Sequence, residues 1–186
     1  MTFLENYADR VLFIISAALI FMPLERLFPR FKVRLNARRD MKLDLLYMFV
    51  AVILLMALSM IFIVSVVSGL GWMVPEAAKT FVSSQPIWIQ VALLIIFGDF
   101  YYYWVHRLFH TVPLLWKFHS IHHSIEHMDW IAASRTHPID TALTNSGVII
   151  IAILFEFSGL AVLIFGIQFS WHSWLKHSNV MVGWGP

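Results

Sequence analysis

The sequence predicts an all-α integral membrane protein. About three transmembrane helices are followed by a bent helical hairpin, with a cluster of histidines at the cytoplasmic face. Three observations carry that expectation. Of 186 residues, 60% are hydrophobic and 13% charged, with a mean hydropathy of +0.76, whereas soluble domains run near ~45–50% and ~25%. Residues 45–70 contain no charge at all. All nine histidines lie after residue 105, which divides the chain into an N-terminal membrane anchor, 1–105, and a histidine-bearing region, 106–186. The same composition excludes disorder. The absence of cysteine excludes disulfide scaffolds, Cys-ligated zinc or iron–sulfur sites and thiol nucleophiles.

Met1 to Arg10 carries Glu5 and Asp9 and no basic cluster, so it does not read as a cleavable signal peptide. Val11 to Phe28 is apolar and close to the ~20 residues a span needs, although Pro23 and the Glu25/Arg26 pair interrupt its end. It fits a short span or an interfacial helix, and we read it as a span. Leu45 to Leu70 is the clearest span, closed by Gly69, Gly71 and Pro75. Gly71 to Gln85 is a short connection with one Glu76 and one Lys79. The third apolar segment, Pro86 to Val105, carries Asp99. An ionisable group inside a span is costly and marks a functional candidate. Ala142 to Trp171 would form a helix of roughly 45 Å, too long for one crossing and broken by Glu156, Ser158 and Gly159. We read it as a hairpin bent near Glu156–Gly159 with arms ~20 Å deep, a single crossing being the competing reading.

Basic residues set the orientation. Seven of the thirteen fall between 26 and 42 (Arg26, Arg30, Lys32, Arg34, Arg38, Arg39 and Lys42), which makes that loop cytoplasmic under the positive-inside rule. Two crossings later His106 returns to the cytoplasmic side with Arg107, Lys117, Arg135 and Lys176. The net charge of +2 is thus explained by topology and does not call for a nucleic-acid partner. Tyr101, Tyr102, Tyr103 and Trp104, with Trp171, Trp174 and Trp184, suit either an aromatic belt at the interface or contact with a substrate.

His106 and His110 stand four apart at the end of the third apolar segment. That spacing places two imidazoles on one helical face, within reach of one metal. HSIHH adds His119, His122 and His123; His127, His137, His172 and His177 follow. A single zinc takes three or four protein ligands, so this many histidines suit two metals. Imidazole alone does not choose among zinc, copper, iron and nickel. Neutral ligands leave the metal charge to be balanced by nearby acids, of which Glu126, Asp129 and Asp140 are the candidates. His172 is five residues from His177, some 140° away around an ideal helix, and so less well placed. Pro138 restricts His137 to extended backbone, which suits a fixed turn. No G-x-S-x-G, HExxH or phosphate-binding glycine loop is present.

From Asp99 to Pro186 the chain resembles the sterol desaturase and fatty acid hydroxylase superfamily of membrane di-iron oxygenases. The resemblance rests on Asp99, Tyr102, Tyr103, Trp104, His106, Arg107 and His110, on the HxxHH box His119, His122 and His123, on Arg135, His137, Pro138 and Asp140, and on His177, Ser178 and Asn179. It implies two non-haem irons, with zinc a substitute, held by His106, His110, His119, His122, His123 and His177, with His172 a further candidate. Asp99, His127, His137 and Asp140 are expected to orient those ligands. It also implies hydroxylation or desaturation of a lipid with O2 and an electron donor, a ferredoxin or a small haem cytochrome. The host membrane would be a bacterial inner membrane or the endoplasmic reticulum. In that family a third HxxHH box follows the H-S-N element. The sequence stops at GWGP, so the 106–186 region is expected to be truncated before that box. The alternatives are a non-catalytic remnant of such an enzyme, or a haem-binding electron-transfer protein, which would need histidines on two facing helices at matched depth.

Overall fold

Apolar runs punctuated by proline and glycine give this chain helices with sharp ends. The computed structural model describes residues 3–31 and 40–181. Lys32, Arg34, Arg38 and Arg39 of the topogenic loop, Trp184 and the GWGP end lie outside the described residues. Helix α1 spans Phe3–Leu27. Helix α2, Met41–Leu46, runs through one π turn, Tyr47–Ala51, into α3, Val52–Leu70. A 3₁₀ turn at Gly71–Met73 and Pro75 then redirect the chain into α4, Glu76–Ser83, bent 112° from the preceding helix. Pro86 precedes α5, Ile87–Thr111. Extended Val112 and Pro113 in the first turn start α6, Pro113–His123, where proline costs no helical hydrogen bond.

Helices α7, Pro138–Leu154, and α8, Gly159–His177, form the hairpin. The turn comes where the sequence placed it. Glu156 takes a left-handed φ of 56°, and Ser158 caps α8 by accepting the Ala161 N–H at 3.1 Å. The arms, 17 and 19 residues, are roughly 25 and 28 Å long and exceed the expected ~20 Å. The tip is tied to the start of α5, where the buried Gln90 accepts the Ser158 N–H through Oε1 at 2.8 Å. Helix α3 packs along α7, and α5 packs against α6, α7 and α8.

Between α5 and α7 the backbones approach closely at Gly147, where a Cβ would lie 2.1 Å from the Tyr101 ring. The Tyr101 hydroxyl donates to Leu143 O at 2.6 Å. One core joins Leu94, Val148, Ala152 and Ala161. A second, aromatic core joins Ala17, Phe21 and Met48 to Trp130, with Trp171 and Trp174 packed on it.

The described residues are all helical apart from turns and one isolated bridge, Pro29–Val180. Among them one helix, Ile87–Thr111, is by itself long and apolar enough to cross a membrane. Residues 57–73 and 76–83 meet that test only as a bent pair. The other expected spans are helical, but among the described residues they do not reach that measure alone.

Charged residues within the N-terminal half serve as buried ties. Glu25, 3% exposed, accepts the backbone N–H groups of Trp130 and Asn179 on the same oxygen, at 2.8 and 2.9 Å. Asn179 in turn pairs with both the N–H and the carbonyl of Phe31, each at 2.9 Å. Arg135 is buried against Asp44, and reaches Asp40 at 3.3 Å. These links fasten the segments flanking the histidines to α1 and α2.

Candidate metal centre

Six histidines converge where α5, α6 and α8 meet. On α5, His106 and His110 face each other with Nε2 atoms 3.1 Å apart. On α6, His119 and His123 do the same at 3.2 Å. The two pairs adjoin, with ring centroids of His106–His119, His110–His119 and His110–His123 at 4.7–4.8 Å. Ligand atoms of His106, His110 and His119 all lie within 4.8 Å of one another. His122 instead turns to His177 of α8, Nε2 to Nε2 at 3.1 Å. Its ring is 5.7 Å from His119 and from His123. The cluster therefore has four imidazoles on one side and two on the other.

Hydrogen bonds on the far side of three of the rings, His119, His122 and His177, fix which nitrogen points inward. His119 donates Nδ1–H to the buried Asp140 carboxylate at 2.7 Å. His122 donates to Arg135 O at 3.2 Å and His177 to Ser173 O at 2.7 Å. A carbonyl only accepts, so both Nδ1 atoms of the last pair carry the proton and both Nε2 atoms present lone pairs. Two lone pairs at 3.1 Å repel unless a cation lies between them. Nitrogens ~2.1 Å from a tetrahedral ion stand roughly 3.4 Å apart, and at right angles roughly 3.0 Å, so the observed spacings fit shared ligation. His106 Nδ1 is also buried without a hydrogen-bond partner among the described residues. Burial, reinforced by His177, lowers the His122 pKa to about 4. Burial and the neighbouring His119 and His110 lower that of His123. Both are neutral near pH 7, the ligand-competent form. The donor set thus fits divalent transition metals that accept imidazole.

Asp140 sits in the first turn of α7, where the helix dipole favours a carboxylate. Its backbone is set by Pro138 and by His137, whose Nδ1 accepts the Ile139 N–H at 3.1 Å. The His137 ring packs on Phe118, outside the cluster. His127 is exposed on the connection after α6. Asp99 is exposed on α5, about 10 Å along the axis from His106, and no hydrogen bond joins it to a histidine among the described residues. His172 is not brought to the cluster. It lines an apolar groove with Ile20, Phe21, Leu24, Gln168 and Trp171. Glu126 is exposed, and Asp129 accepts the Ala132 N–H at 2.8 Å.

Sequence reasoning did not find the carbonyls of Arg135 and Ser173, because a backbone acceptor leaves no mark in residue type. It placed Tyr102 in the motif and in the aromatic belt without pairing it with a histidine, and Trp116 drew no reading. Tyr102 stacks on His106 at 5.5 Å, and Trp116 lies 5.4 Å from both His110 and His123. A cavity of about 110 Å³ adjoins His119, His122 and His177. Its wall combines Tyr102 and Phe169 with the polar Thr136, Thr141, Thr144 and Asn145.

The model of the fatty acid hydroxylase family matches residues 91–186, the segment that holds all six converging histidines. Among characterised proteins, the chain is 54% identical over 41 residues to a fatty acid hydroxylase of a Lecanicillium species, covering 21% of this chain and 11% of that protein. It is 41% identical over 56 residues to an ornithine lipid hydroxylase of Rhizobium tropici, 30% of this chain and 17% of that one. It is 30% identical over 86 residues to a C-4 methylsterol oxidase of Schizosaccharomyces pombe, 46% of this chain and 27% of that one. The similarity thus spans about a quarter or less of each relative's length. No solved structure matches the chain.

Proposed function

The chain belongs to the fatty acid hydroxylase family, and from that membership we propose that it is a membrane-bound non-haem di-iron oxygenase that hydroxylates or desaturates a lipid. The observation that carries this reading is the His122–His177 pair, whose inward lone pairs at 3.1 Å call for a cation. Iron bound there would supply reductive activation of dioxygen, the chemistry an unactivated C–H bond requires.

In a hydroxylation one oxygen atom enters the C–H bond and the other leaves as water. Two electrons come from an external donor, a ferredoxin or small haem cytochrome, and two protons from solvent. His106, His110, His119 and His123 would hold one iron, and His122 and His177 would ligate the second. Asp140 holds His119 in one tautomer and balances cationic charge, as outer carboxylates do. Arg135 O and Ser173 O hold the second pair. Tyr102 limits rotation of His106, and Trp116 packs beside the rings of His110 and His123, which stay exposed at the surface. The hydroxyls of Thr136, Thr141 and Thr144 give the adjoining cavity a wall that water can wet, which would place a proton source beside His119, His122 and His177.

The membrane reading rests on the apolar α5, on the uncharged interior of α3, α7 and α8, and on the large exposed apolar surface. In it three segments cross and the α7–α8 hairpin enters from the cytoplasmic side, where the histidines lie. The lipid classes borne by the relatives' names, fatty acids, ornithine lipids and methylsterols, are the substrates to try first.

The test is isotopic. Protein in lipid nanodiscs, loaded with ferrous iron and supplied with reduced ferredoxin and ¹⁸O2, is incubated with each lipid class, and products are weighed by mass spectrometry. One ¹⁸O in a lipid hydroxyl supports the hydroxylase reading, and a two-hydrogen loss supports desaturation. Neither change, in protein that holds its iron, overturns both.

A further inference from the structure

We propose that the end of the molecule remote from the histidines is a lipid-binding surface. In this reading α4, with Trp72, Phe81 and Trp88, lies in the plane of the bilayer at the headgroup boundary of the opposite leaflet. This rests on the membrane reading above and not on the metals.

Gln90 marks the far rim, because it ties the hairpin tip to the first turn of α5 at 2.8 Å. His106 marks the near rim. Sixteen residues of one helix separate them, ~24 Å, whereas a hydrocarbon core is ~30 Å thick. In the lengths of α5, α7 and α8 between these rims Asp99 is the one charged residue. The apolar slab is therefore short by several ångströms, and whatever stands just beyond Gln90 meets the acyl boundary unless the bilayer thins to match.

What stands there suits that depth. Helix α4 departs at 112° from the preceding helix, so it runs across the end of the molecule. Trp72, Phe81 and Trp88 are 80%, 66% and 70% exposed. Trp72 satisfies its indole N–H on Gly69 O at 2.7 Å, leaving an apolar ring facing outward, the form aromatic residues take at interfaces. Lys79 Nζ lies 2.6 Å from Glu76 and 3.9 Å from Glu156, so these three side chains together carry one net negative charge. Without a basic cluster the surface does not select anionic headgroups. Its partner is the headgroup–acyl boundary of a neutral bilayer, as for in-plane amphipathic helices. Phe81 and the exposed Ser83 lie about 160° apart around the helix, so one faces lipid when the other faces water.

The chain has no cysteine, so single nitroxide labels can be placed without background. Phe81→Cys, Ser83→Cys, Ile96→Cys on the exposed middle of α5 and Met128→Cys on the histidine side are labelled separately, in phosphatidylcholine nanodiscs. Collision with O2, which partitions into lipid, is compared with collision with a water-soluble nickel chelate. The expected result is an O2-to-nickel ratio highest at Ile96, severalfold higher at Phe81 than at Met128, and at Ser83 close to Met128. Added phosphatidylglycerol leaves the Phe81 ratio unchanged. A Phe81 ratio equal to that of Met128 while Ile96 is immersed overturns the proposal alone. Nickel access at Ile96 overturns the membrane reading with it. Shielding of Phe81 from both reagents with dipolar broadening means a second copy covers this face, and also overturns the proposal.

Discussion

The Nε2 atoms of His122 and His177 stand 3.1 Å apart although 55 residues separate them in sequence, and each ring commits its Nδ1 proton to a backbone carbonyl. Neither imidazole can then donate to the other. The pair is preorganised for a cation, and α6 and α8 must hold their relative position for it to exist.

His177→Ala should remove the second metal and spare the first. Iron per chain, measured by elemental analysis after anaerobic loading, is expected to fall from about two to about one, because the α5–α6 imidazoles still offer the three or four ligands a single site takes. His119→Ala takes a ligand from the four-imidazole side and its Asp140 contact together, and should lower the iron content further.

In the proposed site Asp140 would act on the metal through His119, whose Nδ1 it meets at 2.7 Å. Asp140→Ala removes the acceptor for Nδ1–H and should weaken metal binding by ~10–100-fold, the usual effect of losing such a partner. Asp140→Asn keeps a carbonyl acceptor of the same shape and should lose less. Competition with a chromophoric chelator measures both.

Glu25 shows that the N-terminal helix supports the site. Both N–H groups it receives go to one oxygen. Glu25→Ala leaves two buried donors unmet and should cost ~2 kcal/mol or more. Thermal unfolding in detergent reads the difference. Iron content should fall with Glu25→Ala, since Asn179 is two residues from His177.

Gly147 leaves room for the Tyr101 ring. Gly147→Ala puts a carbon 2.1 Å from that ring and should destabilise the α5–α7 contact by about 1–3 kcal/mol, visible as a lowered midpoint of thermal unfolding. Tyr101→Leu in the same chain should recover part of the loss.

Much of this was legible in the residues. The hairpin bend at Glu156–Gly159 followed from a run too long for one crossing and broken by polar residues. The pairing of His106 with His110 and of His119 with His123 followed from helical spacing. The partners of Glu25 and Asp44 were not legible. Glu25 read as an interruption in apolar sequence and Asp44 drew no reading, whereas Glu25 reaches residues 105 and 154 positions away and Asp44 pairs with Arg135, 91 positions on. Local pattern cannot register contacts at that separation. The arrangement of His122 with His177, apart from the other four, was equally hidden, because it depends on where α8 returns.

Whether these histidines hold two metals is read from the iron content per chain of the purified, detergent-solubilised protein. After anaerobic loading and removal of excess iron, close to two irons per chain are expected, with Mössbauer parameters of nitrogen-ligated non-haem iron. Iron near zero, or a content that His110→Ala and His122→Ala leave unchanged, would contradict the account.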